Sequence, residues 1–177
     1  MKEKIFFVWL GRFLASFGLL SGISGCNSPL LITPQVPAGG LNSFAPDQFP
    51  SYSADGRYLA FASDRSGRRS IYLFDLQEKR LVNLPNLNRG DSSQDQPSLN
   101  ADGRLIAYIS SERGKSDVMV YDRSQSRATL LTANLRGSVR NPTISGDGRQ
   151  IAFETNQDGQ WNIAIVNGQF YTCSTRS

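Results

Sequence analysis

Three of the four aspartates that stand directly before glycine in this 177-residue chain fall at a near-regular spacing: Asp55-Gly56, Asp102-Gly103 and Asp147-Gly148. Brought together, such carboxylates hold a hard divalent cation or divide general-acid and general-base duties. Held apart, each is a turn residue, because Gly accepts positive φ and Asp bonds its own backbone. Other chemistry has less to work with. The chain has no His, so a Ser or Cys nucleophile lacks its usual base. Neither a G-x-S-x-G elbow nor a G-x-x-x-x-G-K-[ST] phosphate loop occurs. The two cysteines, Cys26 and Cys173, are too few for a zinc site without His. These residues point to a protein that is not an enzyme and has no cofactor or metal, with its carboxylates committed to turns.

Register is what gives the aspartates meaning. They lie 47 and 45 residues apart. Pro50, Pro97 and Pro142 each stand five residues before one of them, and Gly67, Gly114 and Gly159 follow each first Gly by 11. Asp75, Asp122 and Asn167 come eight further on, and Ala60, Ala107 and Ala152 recur in step. A period in the forties made of several short strands is the signature of a propeller blade. Within one unit, RYLAFAS alternates as a strand, with Leu59 and Phe61 on one face and Ala60 on the other. The large pair would fill the gap to a neighbouring sheet, and the small Ala would let the next sheet approach. IYLFDL, VMVYDR and IAIVNG read as third strands; RLVNL and ATLLT read as outer, fourth strands. Helical periodicity is nearly absent. The expectation is an all-β, open partial β-propeller of three four-stranded antiparallel blades, with an incomplete third blade as the variant, because the chain has little left for a fourth strand after Gln169. A β-sandwich is the competing architecture.

Composition bounds the partners. The chain is 39% hydrophobic and 19% charged, which is neither disordered nor a disulfide scaffold. Its net charge is +4, but Lys2, Glu3, Lys4 and Arg12 supply half of that. The remaining basic residues are scattered, so nucleic acid is not expected as a partner.

The amino terminus reads as separate from the fold. MKEK is basic, and the apolar run after it is broken by Arg12, too short on either side to cross a bilayer as a helix. Ile23-Ser24-Gly25-Cys26 then resembles the bacterial lipobox. That resemblance implies a signal peptide over residues 1–25, cleavage before Cys26, lipidation of Cys26, and anchoring on the periplasmic face of a membrane. Asn27 in place of Asp favours the outer membrane. A plain secreted protein and a retained anchor are the alternatives. Residues 26–45, rich in Pro and Gly, read as a tether, and LLIT within them could pair as a stray strand. Residues 170–177 read as a short irregular tail.

SADGRYLAFASDRSGRRSIYLFDL, NADGRLIAYISSERGKSDVMVYDR and SGDGRQIAFETNQDGQWNIAIVNG resemble the repeats of TolB-type (WD40-like, PD40) propellers of the bacterial envelope. The resemblance covers residues 46–169, in units of about 46–90, 91–136 and 137–169. Departures exist. Tyr52, Leu99 and Ile144 stand where Phe or Trp is usual, and Ala54, Ala101 and Gly146 replace Pro. TolB itself also carries an α/β domain and six blades. Three units do not close a ring, so either two copies combine into a six-bladed ring or the chain is shortened.

Function follows the resemblance more loosely than fold does. The expectation is a non-catalytic, lipid-anchored interaction scaffold, with an envelope protein such as a peptidoglycan-associated lipoprotein as the implied partner. A vestigial fragment and an envelope carbohydrate- or peptide-active enzyme are the alternatives. Arg65, Arg113 and Trp161, in turns, are the candidate partner contacts, against surface charge and blade packing as their ordinary roles.

Overall fold

The computed structural model describes residues 40–168. The expected signal peptide, Cys26, most of the expected tether and residues 169–177 lie outside the described residues.

Eleven strands follow one another without a helix among the described residues. The first sheet joins β1 (Asp47–Tyr52), β2 (Tyr58–Ser63), β3 (Ser70–Asp75) and β4 (Arg80–Val82) in that order. The second joins β5 (Gln94–Leu99), β6 (Leu105–Ser110), β7 (Asp117–Asp122) and β8 (Arg127–Leu130) likewise. The third joins β9 (Val139–Ile144), β10 (Gln150–Thr155) and β11 (Asn162–Asn167). All pairings are antiparallel. This is the open, propeller-like stack, with sheets of four, four and three strands.

The alternation of large and small side chains sets the packing. Ile106 and Tyr108 of the second sheet press onto the Ala60 face of the first, together with Ile71, Leu73 and Leu99. Ile151 and Phe153 of the third press onto the Ala107 face of the second, with Val118 and Val120. Ala60 and Ala107 are completely buried, which is what lets the sheets meet.

Small polar groups stitch the inner strands. Ser51 Oγ accepts the Leu99 N–H at 3.0 Å, and Ser98 Oγ accepts the Ile144 N–H at 3.2 Å one unit later. Ala54 N–H donates to the Ala101 carbonyl at 2.9 Å, and Ala101 N–H to the Gly146 carbonyl at 3.0 Å. Pro at 54 or 101 could not donate, so these departures from the repeat gain inter-sheet bonds.

Each inner strand also bulges before its proline. Phe49, Gln96 and Asn141 have φ of 54°, 52° and 51°, and the register shifts at the same places. A left-handed non-Gly residue at a bulge re-aims the strand at some strain.

The two ends of the stack differ. On the first sheet, Leu59, Phe61 and Phe74 are covered by Leu41 and flanking side chains. Residues 40–45, expected as tether, are held there by Arg65. On the third sheet, Ile163 and Ile165 are 69% and 65% exposed. Their counterparts Ile71, Leu73, Val118 and Val120 are buried by the next sheet.

Candidate functional site

The Asp-Gly turns line up at one end of the stack, where β1–β2, β5–β6 and β9–β10 connect. Each is closed by a Gly N–H: Gly56 to the Ser53 carbonyl at 3.0 Å, Gly103 to Asn100 at 3.1 Å, Gly148 to Ser145 at 2.9 Å. Each Asp accepts the N–H two residues on, from Arg57 at 3.0 Å, Arg104 at 2.9 Å and Arg149 at 3.0 Å. Ser53 Oγ adds a bond to Asp55 at 2.5 Å, and Ser145 Oγ one to Asp147 at 2.6 Å. These hydroxyl and amide bonds hold both carboxyls below their ordinary range. Asp55, Asp102 and Asp147 therefore serve their own turns. Among the described residues no three His, Cys, Asp or Glu gather to hold a metal ion.

A second row of carboxylates braces this end. Asp75 accepts Arg57 Nε and Nη2 at 3.0 and 2.9 Å, and the Gln77 and Glu78 amides at 2.9 and 3.0 Å. Its carboxyl is lowered chiefly by the Glu78 amide and further by Arg57, against the pull of burial. Asp122 repeats the pattern, with both oxygens 3.2 Å from Arg104 and Oδ1 accepting the Ser124 N–H and hydroxyl. Asn167 breaks it: its Oδ1 accepts only Gln150 Nε2, at 3.3 Å. Arg149 is left 3.9 Å from Asp147 and largely exposed.

The result is a polar groove of about 840 Å³ between the second and third turns, walled by Asn100, Asp102, Arg104, Asp147 and Arg149. Its backbone is fixed tightly. A Cβ on Gly148, at φ 74°, would lie 2.5 Å from Leu105 Cδ1, so only Gly seats this turn against the second sheet. Among the described residues no nucleophile–base pair faces the groove; its polar lining is made of hydrogen-bond donors and acceptors.

At the other end Gly67, Gly114 and Gly159 close the second turns onto Asp64, Ser111 and Asn156 at 2.9, 2.9 and 3.0 Å. The three candidate contacts lie there and do not come together. Arg65 is spent inside the chain. It donates to the Gly40 and Leu41 carbonyls at 2.9 and 2.7 Å and to Asp47 at 2.8 Å. It also lies over the Phe61 and Tyr72 rings at 4.9 and 4.8 Å. Arg113 donates to the Ala133 carbonyl at 3.2 Å and keeps an open face. Trp161 is 43% exposed, with the Arg140 guanidinium 3.9 Å from its ring. Sequence reasoning passed over Arg57, Arg104 and Arg149. Each directly follows a repeated Asp-Gly, and that fixed position was the available signal.

A family model described as TolB beta propeller domain matches residues 41–172. TolB from Acinetobacter baumannii superposes with a TM-score of 0.62 at 21% identity, over 73% of this chain and 32% of that one. Putative TolB from Agrobacterium tumefaciens gives 0.59 at 19% identity, over 69% and 46%. An oligogalacturonate lyase in complex with manganese gives 0.54 at 18% identity, over 70% and 35%. These likenesses show the fold, and the chain spans less than half the length of any of the three. Among curated proteins none matches. With the family model covering most of the chain, and three sheets repeating its strands in register, the chain belongs to the TolB β-propeller domain family.

Proposed function

We propose that this chain is a non-catalytic interaction module of the bacterial envelope, tethered by lipid at Cys26. The observation that carries the reading is the braced row of turns. Three sheets locked by inner-strand bonds hold the turns in fixed positions around an open polar groove, with Arg104 braced on Asp122 and Arg149 largely exposed, and a rigid scaffold bearing fixed loops is built for recognition. A loop of an envelope protein with both acidic and amide groups fits that lining; a peptidoglycan-associated lipoprotein is the partner the family resemblance suggests. The test is binding of the purified full chain to that purified lipoprotein. Arg149→Ala should weaken binding by about tenfold while leaving the melting temperature unchanged. Equal binding by wild type and variant removes the groove from the interaction. Lipid attachment is tested separately, by incorporation of labelled palmitate that Cys26→Ser abolishes.

A second reading rests on the exposed Ile163 and Ile165. A second copy presenting its first sheet to this face completes a six-bladed ring. For that closure Leu41 must leave the face it covers. Solution mass of the mature chain tests it: a dimer supports the ring and a folded monomer refutes it.

A further inference from the structure

The three repeats are near copies, so the places where one departs from the others are informative. Four departures of the second repeat meet at one cavity. Met119 stands where the first repeat has Tyr72, and Ala128 where it has Leu81. In the first sheet Tyr72 and Leu81 fill the space beside Phe61 and Phe74. In the second sheet the smaller pair leaves it open, as a cavity of about 480 Å³. Tyr108 stands where the other repeats have Phe61 and Phe153, and Arg113 where they have Ser66 and Asp158. Both line the same cavity.

The lining divides by chemistry. Met119, Ala128, Leu130 and the Tyr108 ring make an apolar floor, backed by Leu87 from the link between sheets. The Tyr108 hydroxyl makes no hydrogen bond among the described residues, and burial, then the charge of Glu112, keeps it protonated as a donor. Three arginines, Arg89, Arg113 and Arg127, line the cavity with two acidic residues, Glu112 and Asp117. Both carboxylates have cationic partners, and Asp117 Oδ2 accepts no hydrogen bond among the described residues. Glu112 lies 3.2 Å from Arg89. Asp117 accepts Thr132 Oγ1 at 2.8 Å and lies 3.0 Å from Lys115 Nζ and 3.6 Å from Arg113. Arg127 forms no ion pair among the described residues. What is left over is one hydroxyl donor, one guanidinium and the Asp117 Oδ2 acceptor, itself 3.6 Å from Arg113, beside an apolar floor, in a volume usual for small-ligand sites.

We propose that this cavity binds a carboxylate carried on a small apolar body, with the anion between Arg127 and the Tyr108 hydroxyl and the body on Met119, Ala128 and Leu130. A free aromatic or aliphatic acid and the carboxyl end of a peptide with an apolar last residue share that chemistry. The site is separate from the turn groove and does not depend on the envelope reading.

The chain contains only two methionines, Met1 and Met119, so ¹³C-methyl methionine labelling of the full chain places one reporter in the cavity floor. Phenylacetate should shift the Met119 methyl signal saturably, and neutral phenylacetamide should bind at least about tenfold more weakly. Arg127→Gln and Tyr108→Phe should each weaken phenylacetate by about fivefold or more. Ala128→Leu, which restores the side chain of the first repeat, should abolish the shift. Gly-Gly-Phe tested beside its carboxamide separates the sources. Tighter binding of the free tripeptide than of phenylacetate assigns the site to peptide ends, and the reverse assigns it to free acids. A Met119 signal unmoved by acid and tripeptide, or moved equally by acid and amide, overturns the proposal. The acid–amide comparison uses the unmodified chain, so it decides even where a variant fails to fold.

Discussion

Leu73 and Ile165 occupy the same place in the first and third repeats, and the fold treats them oppositely. Leu73 is completely buried against the second sheet, whereas Ile165 is 65% exposed on a face that no other sheet of the described residues covers. Truncating Leu73 to Ala removes a fully buried side chain and leaves a cavity, which costs about 3 kcal/mol. Full burial of an Ile side chain stabilises by roughly 2 kcal/mol, and Ile165 has about a third of that, so Ile165→Ala should cost under ~1 kcal/mol. At roughly 4 °C per kcal/mol for a domain of this size, the melting temperature falls by about 12 °C for Leu73→Ala and by less than about 4 °C for Ile165→Ala. Urea melts of the full chain followed by circular dichroism give both losses on one scale, with unchanged m-values as the check on two-state behaviour. Equal losses would refute the reasoning. They would mean that the third face is covered in solution, and sedimentation should then find a dimer that Ile165→Ala dissociates.

Other perturbations separate the roles assigned above. Gly56→Ala meets open space and carries only the strain of positive φ, about 1 kcal/mol, whereas Gly148→Ala also drives a Cβ to 2.5 Å from Leu105. Thermal melts should therefore show the larger loss for Gly148→Ala. Arg65→Ala removes four charged hydrogen bonds, the Nε bond to Ser63 Oγ at 3.0 Å among them, and two ring contacts. It should cost about 2–3 kcal/mol and open residues 40–45 to proteolysis, read by mass spectrometry of limited digests. Asp75 has a carboxyl lowered from its ordinary 3.8, so its contribution to stability is full at neutral pH. That contribution is lost as pH falls below 3.8 and through the native value, where the folded state too takes up a proton. The stability gap between wild type and Asp75→Asn should be widest near pH 7 and close toward pH 2, measured by urea melts across that range. Ala101→Pro deletes the bond to the Gly146 carbonyl and should cost about 1 kcal/mol or more.

The blades were legible because their residues act locally. A Gly that closes a turn and an Asp that bonds the next-but-one amide leave a fixed trace in sequence, and alternation of Leu59, Ala60 and Phe61 gives both the strand and its two faces. The inter-sheet packing followed from the same alternation. The bulges were not legible. No one side-chain type is common to Phe49, Gln96 and Asn141, and only their place before Pro recurs; the left-handed φ accompanies the register shift in the pairing with β2, β6 or β10. Arg65 was misleading for a related reason. A charge in a turn reads as solvated, but two rings beneath it and two backbone carbonyls above it desolvate the guanidinium profitably. The turn groove was half legible: its aspartates were singled out, while the arginines that face it were not. The cavity beside Tyr108 could not be read, since it arises from two side chains, at 119 and 128, being smaller than their counterparts across a sheet.

Repetition and departure divide the labour in this chain. Residues written three times, the prolines, the Asp-Gly turns and the small Ala, specify geometry, and a residue fixed by geometry is poorly placed to distinguish one partner from another. Recognition must then come from positions where the copies differ. Asn167 in place of Asp releases Arg149 into the turn groove. Met119 and Ala128 in place of Tyr and Leu open the second sheet, and Tyr108 in place of Phe puts a hydroxyl on its floor. Ile163 and Ile165 keep the apolar character of their buried counterparts yet face outward, so the third sheet retains an inter-sheet surface with no sheet upon it. Exchanging Tyr108, Met119 and Ala128 together for Phe, Tyr and Leu would make the second repeat a copy of the first at these positions. If geometry and recognition are separable as argued, that triple variant keeps its cooperative melt and loses the phenylacetate response at once. A variant that retains the response would place recognition in the repeated residues after all.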